Sequence, residues 1–161
     1  MTKIKKNILL FFLIIFSFYC AVIIGQTWDE SAEIFKGKTT IDYLFSFGEI
    51  DNKYPYREYY SSIYWSLLYL LTKQFPYQYL IESTHVINLI FSLSAIFGIA
   101  KLSKEFFNKK VSEITFLILF FYPIFFGHLA INSKDTILAS CHVWISYLVL
   151  RYLKKQNNKF K

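Results

Sequence analysis

The sequence predicts an all-α integral membrane protein with about four transmembrane helices. Of the 161 residues, 55% are hydrophobic and 21% are aromatic, while only 18% are charged. The hydrophobic residues form long runs, and the basic residues lie in short clusters between these runs. A helix needs about 20 apolar residues to cross the hydrocarbon core of a bilayer, and several runs approach that length. Lipid is therefore the expected solvent of much of this chain.

Four runs are predicted to span the membrane within a single domain, 1–161. They cover about 8–25, 79–100, 111–127 and 136–150. The first run follows a basic segment, as a signal peptide would. It is longer than a usual signal core and has no small-x-small cleavage pattern at its end, so we interpret it as a retained helix.

The long loop 26–78 is predicted to carry amphipathic juxtamembrane helices on the outer side of the membrane. Within it, Tyr59–Thr72 is aromatic but short and polar, which favours a helix lying in the membrane interface. The alternative is a true span over Tyr59–Phe75. That span would turn every later basic loop to the outside, so we do not favour it.

The distribution of basic residues predicts that both termini are cytoplasmic, in the manner of a bacterial inner membrane protein. Of the 18 Lys and Arg residues, 12 lie in the three segments 1–7, 101–110 and 151–161. They are Lys3, Lys5, Lys6, Lys101, Lys104, Lys109, Lys110, Arg151, Lys154, Lys155, Lys159 and Lys161. Because the net charge of +7 is placed in this way, it indicates a membrane partner and no nucleic acid.

An adjacent acidic pair, Asp29 and Glu30, follows the first predicted span directly and lies after Trp28. A carboxylate at the membrane surface can act as a general base on a substrate delivered from lipid. The alternative is that these residues cap a helix or face water. We call the pair the first acidic site.

A second group of polar residues lies between the third and fourth predicted spans: His128, Asn132, Lys134 and Asp135. If the third helix continues outward, His128, Asn132 and Asp135 share one helix face. The alternative is a polar loop with a helix-capping Asp. A divalent metal is conceivable, but the spacing is unspecific, so we predict no metal and no cofactor. We call this group the second polar cluster.

A polar stripe of His85, Asn88 and Ser92 lies on the predicted span 79–100. Polar side chains in membrane helices usually face protein, so hydrogen bonding between helices is the favoured role of Asn88 and Ser92. A transporter path lined by His85, Asn88 and His142 is an alternative. No predicted span carries an acidic residue near its middle, which argues against that alternative.

The order of these features resembles the start of the GT-C membrane glycosyltransferases. The resemblance rests on a first span, then Trp28-Asp29-Glu30 and a long outer loop, and later on Pro123–His128 followed by Asn132-Ser133-Lys134-Asp135. It is similar to the protein O-mannosyltransferase branch and to the related RgtA/B/C/D-like transferases. Members of that family have more spans, so the resemblance implies the N-terminal part of such an enzyme, which would be incomplete.

The resemblance implies a sugar donor on a polyprenyl phosphate, transfer on the outer face and an inverting mechanism. It implies catalytic roles for Asp29, Glu30 and Asp135, and it places Lys134, His128 and Asn132 in substrate binding. The expected partners are the donor lipid, the bilayer and a further membrane chain. A non-enzymatic membrane scaffold or assembly subunit is the alternative, and the short length favours it.

Overall fold

A computed structural model of the protein describes residues 3–49 and 62–157, and every regular element in those ranges is helical. The all-α prediction is therefore confirmed for this part of the chain. The helices are α1 (Lys3–Ile23), α2 (Glu30–Phe45), α3 (Ile63–Thr72), α4 (Leu80–Phe106), α5 (Lys109–Phe121), α6 (Pro123–His128) and α7 (Asp135–Asn157). The chain divides into two compact units, Met1–Ile87 and Asn88–Lys161, and α4 contributes to both.

Two of the described helices are long and apolar enough to cross a membrane. They are Tyr77–Phe106, which contains α4, and Asp135–Gln156 in α7. They correspond to the predicted spans 79–100 and 136–150. Shorter apolar helices cover Asn7–Ile23 and Ile63–Thr72. Length and composition thus agree with two of the predicted spans, and the count of four stays a prediction.

Helix α1 exposes most of its apolar surface. Phe11, Phe12 and Tyr19 are each more than 60% exposed. A soluble domain would cover such a continuous apolar surface, whereas lipid solvates it. Ser17, the buried polar residue of this helix, donates to the Leu13 carbonyl at 2.9 Å. Its hydroxyl is therefore satisfied within the helix itself.

Helices α2 and α3 pack closely in the first unit. A methyl group at Gly37 would overlap the backbone carbonyl of Trp65, so glycine permits the two backbones to meet. The Nζ of Lys36 lies 4.8 Å from the centroid of the Trp65 ring, which is itself buried. The hydroxyl of Thr72 donates to the Leu68 carbonyl at 2.9 Å.

The length of α3 bears on the prediction of an interfacial helix over Tyr59–Thr72. The first residues of that segment, 59–61, lie outside the described ranges. The rest forms α3, whose 10 residues rise about 15 Å, roughly half of the hydrocarbon core. The chain then turns at Lys73–Phe75 instead of continuing as a helix. This geometry argues against the alternative span Tyr59–Phe75, while the interfacial placement itself stays a prediction.

The predicted third span, 111–127, is interrupted near its C-terminal end. Helix α5 ends at Phe121, Tyr122 is extended (φ −69°, ψ 111°), and α6 begins at Pro123. The proline ring disfavours a helical conformation of the residue before it, which explains the break. The third helix therefore does not continue outward in one piece. His128, Asn132 and Asp135 are consequently not three positions on one helix face.

Aromatic rings and one close helix approach form the core of the second unit. The ring centroids of Phe97 and Phe116 are 5.2 Å apart, and those of Phe120 and Phe126 are 5.4 Å apart. At Gly98, an added methyl carbon would lie 2.6 Å from Cγ1 of Val143, so α4 and α7 meet closely there. Small residues commonly permit such contacts between membrane helices.

Candidate active site

The first acidic site lies where the chain leaves α1 and enters α2. Glu30 is the first residue of α2, and its Oε2 accepts a hydrogen bond of 2.6 Å from the backbone N–H of Thr27. Thr27 lies two residues before the N-cap residue, Asp29, so this contact joins the first residue of α2 to the segment that precedes the helix. It fixes the first turn of α2 against the preceding segment.

Glu30 is also bound by a residue 55 positions later in the sequence. Its Oε1 lies 2.5 Å from Nε2 of His85, near the start of α4. The other ring nitrogen, Nδ1, lies 3.0 Å from the carbonyl oxygen of Ala21 in the last turn of α1. Glu30 is 2% exposed and His85 is fully buried. The pair thus connects α1, α2 and α4 within the first unit.

Two opposing effects act on the pKa of Glu30. Burial raises the pKa, because it disfavours the charged form. The hydrogen bonds from His85 and from the Thr27 backbone, together with the charge of His85, lower it more, so the pKa lies below its usual value. Glu30 is therefore a carboxylate at neutral pH, with both oxygens engaged.

Asp29 is exposed, in contrast to its neighbour. It occupies the N-cap position of α2, but among the described residues its side chain makes no capping hydrogen bond. The alternative for this residue was that it caps a helix or faces water. Within the described part of the chain the geometry shows no cap by its side chain, whereas its exposure agrees with a residue that faces water. Asp29 is joined by one peptide bond to Glu30, whose two carboxylate oxygens are both hydrogen-bonded.

The second polar cluster is organised by Asn132. Its Oδ1 accepts from the backbone N–H groups of Lys134 (3.2 Å) and Asp135 (2.9 Å), and its Nδ2 donates to Oδ2 of Asp135 (3.0 Å). The hydroxyl of Thr136 donates to the Asn132 carbonyl. Asn132 therefore caps the start of α7, as Asn commonly does at helix N-termini.

The structure joins Asn132, Lys134 and Asp135 through the hydrogen bonds of the Asn132 side chain, and the imidazole of His128 takes no part in these bonds. The imidazole of His128 is exposed at the end of α6, and its backbone carbonyl accepts from the N–H of Asn132 at 3.1 Å. Asp135 is also exposed. Within the described ranges, no group of three or more His, Cys, Asp and Glu side chains is arranged to hold a metal ion.

Comparison with protein-family models gives a match over residues 62–160, to the family described as dolichyl-phosphate-mannose-protein mannosyltransferase. The match covers more than half of the chain. The chain belongs to this mannosyltransferase family. No curated protein and no solved structure matches the chain in the corresponding comparisons.

Membership of the mannosyltransferase family confirms the resemblance on which the site prediction drew, and with the two long apolar helices it indicates a membrane protein. The matched region contains His85 and the whole second polar cluster. Asp29 and Glu30 precede it, so their assignment rests on the geometry described above and on the order of motifs.

The partner of Glu30 is a residue that sequence reasoning missed. The polar stripe on α4 was expected to bond between helices. Asn88 does bond to another segment, since its Nδ2 donates to the Ala130 carbonyl at 3.0 Å. Ser92 is buried with no hydrogen-bond partner among the described residues. His85, which was placed in this stripe and considered as part of a transporter path, binds Glu30 of the first acidic site. One signal in the sequence could have predicted this pair. Glu30 follows the predicted span 8–25, and His85 lies near the start of the span 79–100, so both were predicted near the same side of the membrane. Charged groups buried in membrane proteins are usually paired.

Proposed function

We propose that the chain forms the acidic site of a glycosyltransferase that moves a sugar from a polyprenyl-phosphate donor to an acceptor hydroxyl on the outer face of the membrane. Two facts support the proposal. The family is that of mannosyltransferases whose described donor is dolichyl-phosphate-mannose. The observation that carries it is the contrast within the first acidic site, where Asp29 is exposed and the adjacent Glu30 is buried and anchored.

In the proposed reaction Asp29 is the general base. It accepts the proton of the acceptor hydroxyl while that oxygen forms a bond to the anomeric carbon of the sugar. The bond between the anomeric carbon and the phosphate oxygen breaks, and the polyprenyl phosphate leaves with the bonding electrons. A single displacement inverts the anomeric centre, unlike a two-step route through a covalent intermediate. Glu30 supports this step by fixing the turn that carries Asp29.

The second polar cluster is proposed to bind the donor phosphate and to supply the second carboxylate. Lys134 offers a positive charge for the leaving phosphate. Asn132 orders the backbone of Lys134 and Asp135, and the exposed His128 contributes a hydrogen-bond donor. Asp135 is the second acidic residue that the proposal assigns to catalysis. No cofactor or metal enters this scheme.

The proposal includes a topology in which the first acidic site faces outward and both termini are cytoplasmic, as in a bacterial inner membrane. The asymmetry of basic residues supports it. After replacement of Cys20 and Cys141 by Ser, single cysteines at Lys38 and Lys155, both exposed, would report each side. An impermeant thiol reagent applied to intact cells should label the first and spare the second. The reverse pattern would contradict the topology.

Transfer itself can be tested in membranes containing a complete enzyme that carries this segment, with a radiolabelled mannosyl-phosphoryl polyprenol as donor. We expect formation of a mannosylated acceptor and release of polyprenyl phosphate by the unmodified protein. Asp29→Asn should reduce the rate by at least about 100-fold, since a general base contributes roughly 10²–10⁴-fold. Asp42→Asn, the same change at a position inside α2 and about three and a half turns after Asp29, is the matched control and should keep the rate. Equal rates for Asp29→Asn and the control would exclude Asp29 as the base. A scaffold protein would give no transfer at all.

A further inference from the structure

His85 is bound through both ring nitrogens inside the first unit. Nδ1 lies 3.0 Å from the Ala21 carbonyl oxygen, and Nε2 lies 2.5 Å from Oε1 of Glu30. A backbone carbonyl can only accept a hydrogen bond, so Nδ1 must carry the proton of the first contact. One of the two ring protons is therefore fixed by geometry.

The second proton lies between Nε2 and Glu30. Either Nε2–H donates to a carboxylate, or a protonated Glu30 donates to Nε2. The other oxygen of Glu30 accepts the Thr27 N–H at 2.6 Å, and hydrogen bonds of this kind stabilise the ionised form of a carboxyl group. Both arrangements satisfy every donor and acceptor of these contacts, and neither has a net charge, which suits a buried position near a membrane boundary better than a lone ion does. The hydrogen bond from Thr27 favours the arrangement with an ionised Glu30, which is an imidazolium–carboxylate pair.

We propose that doubly protonated His85 is a positioning residue, which locks the first turn of α2 to the last turn of α1 and thereby sets the place of Asp29. This inference rests on the proposed role of Asp29 as the base. Asp29 is one peptide bond away from Glu30, so a rotation of that turn moves its carboxylate. A misplacement of about 1 Å at a reacting group can lower a rate by roughly 10²-fold.

Two substitutions separate the two hydrogen bonds of His85. The amide nitrogen of Gln is placed to replace Nε2, so His85→Gln keeps a donor for Glu30 and loses the bond to Ala21. The amide nitrogen of Asn is placed to replace Nδ1, so His85→Asn keeps the bond to Ala21 and leaves Glu30 without its partner. Per folded protein, we expect His85→Asn to lower kcat by about 100-fold with a change in the donor KM of less than about 3-fold.

His85→Gln is expected to retain at least about 10-fold more kcat than His85→Asn, because the bond to Glu30 persists. His142→Gln is the matched control. The His142 side chain is exposed on α7 and bonds to the Leu138 carbonyl of its own helix, so kcat should not change. A purely structural role would lower the amount of folded protein and leave kcat of the folded fraction unchanged.

The protonation of His85 can be measured without any activity. In protein labelled with ¹⁵N at histidine and held in membranes, the signals lost in His85→Gln identify this ring. At neutral pH we expect both of its nitrogens to be protonated. An unprotonated ring nitrogen would overturn the proposal. Two protonated nitrogens with an unimpaired kcat of His85→Asn would overturn the positioning role while the assignment of Asp29 stands. Two protonated nitrogens with no transfer by the unmodified protein would overturn the proposed function, and with it the catalytic consequence of the pair.

Discussion

The first acidic site and the second polar cluster both place a carboxylate at the start of a helix, but these helix starts are held in different ways. Glu30 is bound by His85, 55 positions away, and is buried. The hydrogen bonds of the Asn132 side chain reach only two or three residues along the chain. A long-range anchor exists only in the folded unit, whereas a local cap forms wherever the helix forms. Changes at the first acidic site should therefore spread through its unit, and changes at the second polar cluster should stay local.

The largest expected effect comes from leaving the buried carboxylate of Glu30 without its partner. His85→Leu should lower the free energy of unfolding by about 3–5 kcal/mol, because removing one partner of a buried pair leaves the other charge buried without compensation. The double variant Glu30→Leu, His85→Leu should recover at least half of that loss, because both charges are removed. Unfolding in mixed detergent micelles measures both quantities. His142→Leu is the control, and a double variant less stable than His85→Leu would refute the coupling.

A second comparison concerns the two close helix approaches, one in each unit. Gly37→Ala places a methyl group on the rigid backbone of Trp65 and should cost about 1–3 kcal/mol of stability. Gly98→Ala should cost less, because its added methyl carbon would lie 2.6 Å from a side-chain atom, Cγ1 of Val143, whereas the one at Gly37 would lie 2.2 Å from a backbone oxygen. Gly127→Ala is the control, since nothing lies within 4 Å of its added methyl group. The same unfolding experiment ranks the three, and a larger loss at Gly98 than at Gly37 would contradict the packing argument.

The all-helical fold was predictable because it depends on long apolar runs, whose length and order are visible in the sequence. The break at Tyr122–Pro123 was also visible in principle, since proline restricts the residue before it. The close approach at Gly37 was not, because it depends on which helix packs against α2. The sequence around a single glycine does not show which helix packs against it.

The candidate site was predictable in its residue types and only partly in its geometry. Asp29 and Glu30 form one motif in the sequence, yet one is exposed and the other is buried. This division is set by the long-range contact with His85, which no local pattern encodes. In the second polar cluster, by contrast, Asn132 and Asp135 are three residues apart, and their capping contact follows from that spacing. The catalytic roles of Asp29, Glu30 and Asp135 stay predictions.

The stability of the first unit should depend on acidity through Glu30. Its pKa in the folded protein lies below the ordinary value of 4.5, so the unfolded chain binds a proton more readily than the folded one. The resulting stabilisation is fully present above pH 4.5 and is lost as the pH falls through the lowered pKa. Unfolding measured between about pH 3 and pH 6 should show a steeper acid loss for the unmodified protein than for Glu30→Gln. Parallel curves would mean that the pair does not stabilise the fold.

The smallest expected loss of stability is at the second polar cluster. The more informative quantity there is how many residues of the chain the substitution affects. Asn132→Ala removes the cap of α7 and should cost about 1 kcal/mol, a typical value for an N-cap Asn. Because its bonds are local, amide hydrogen exchange should rise only in the first turn of α7, near Thr136. His85→Leu should instead raise exchange at the end of α1 and in the first turn of α2, since both are bonded to that ring. Faster exchange of α2 in Asn132→Ala would show that the cluster is coupled to the first unit. The distinction between a long-range anchor and a local cap would then be wrong.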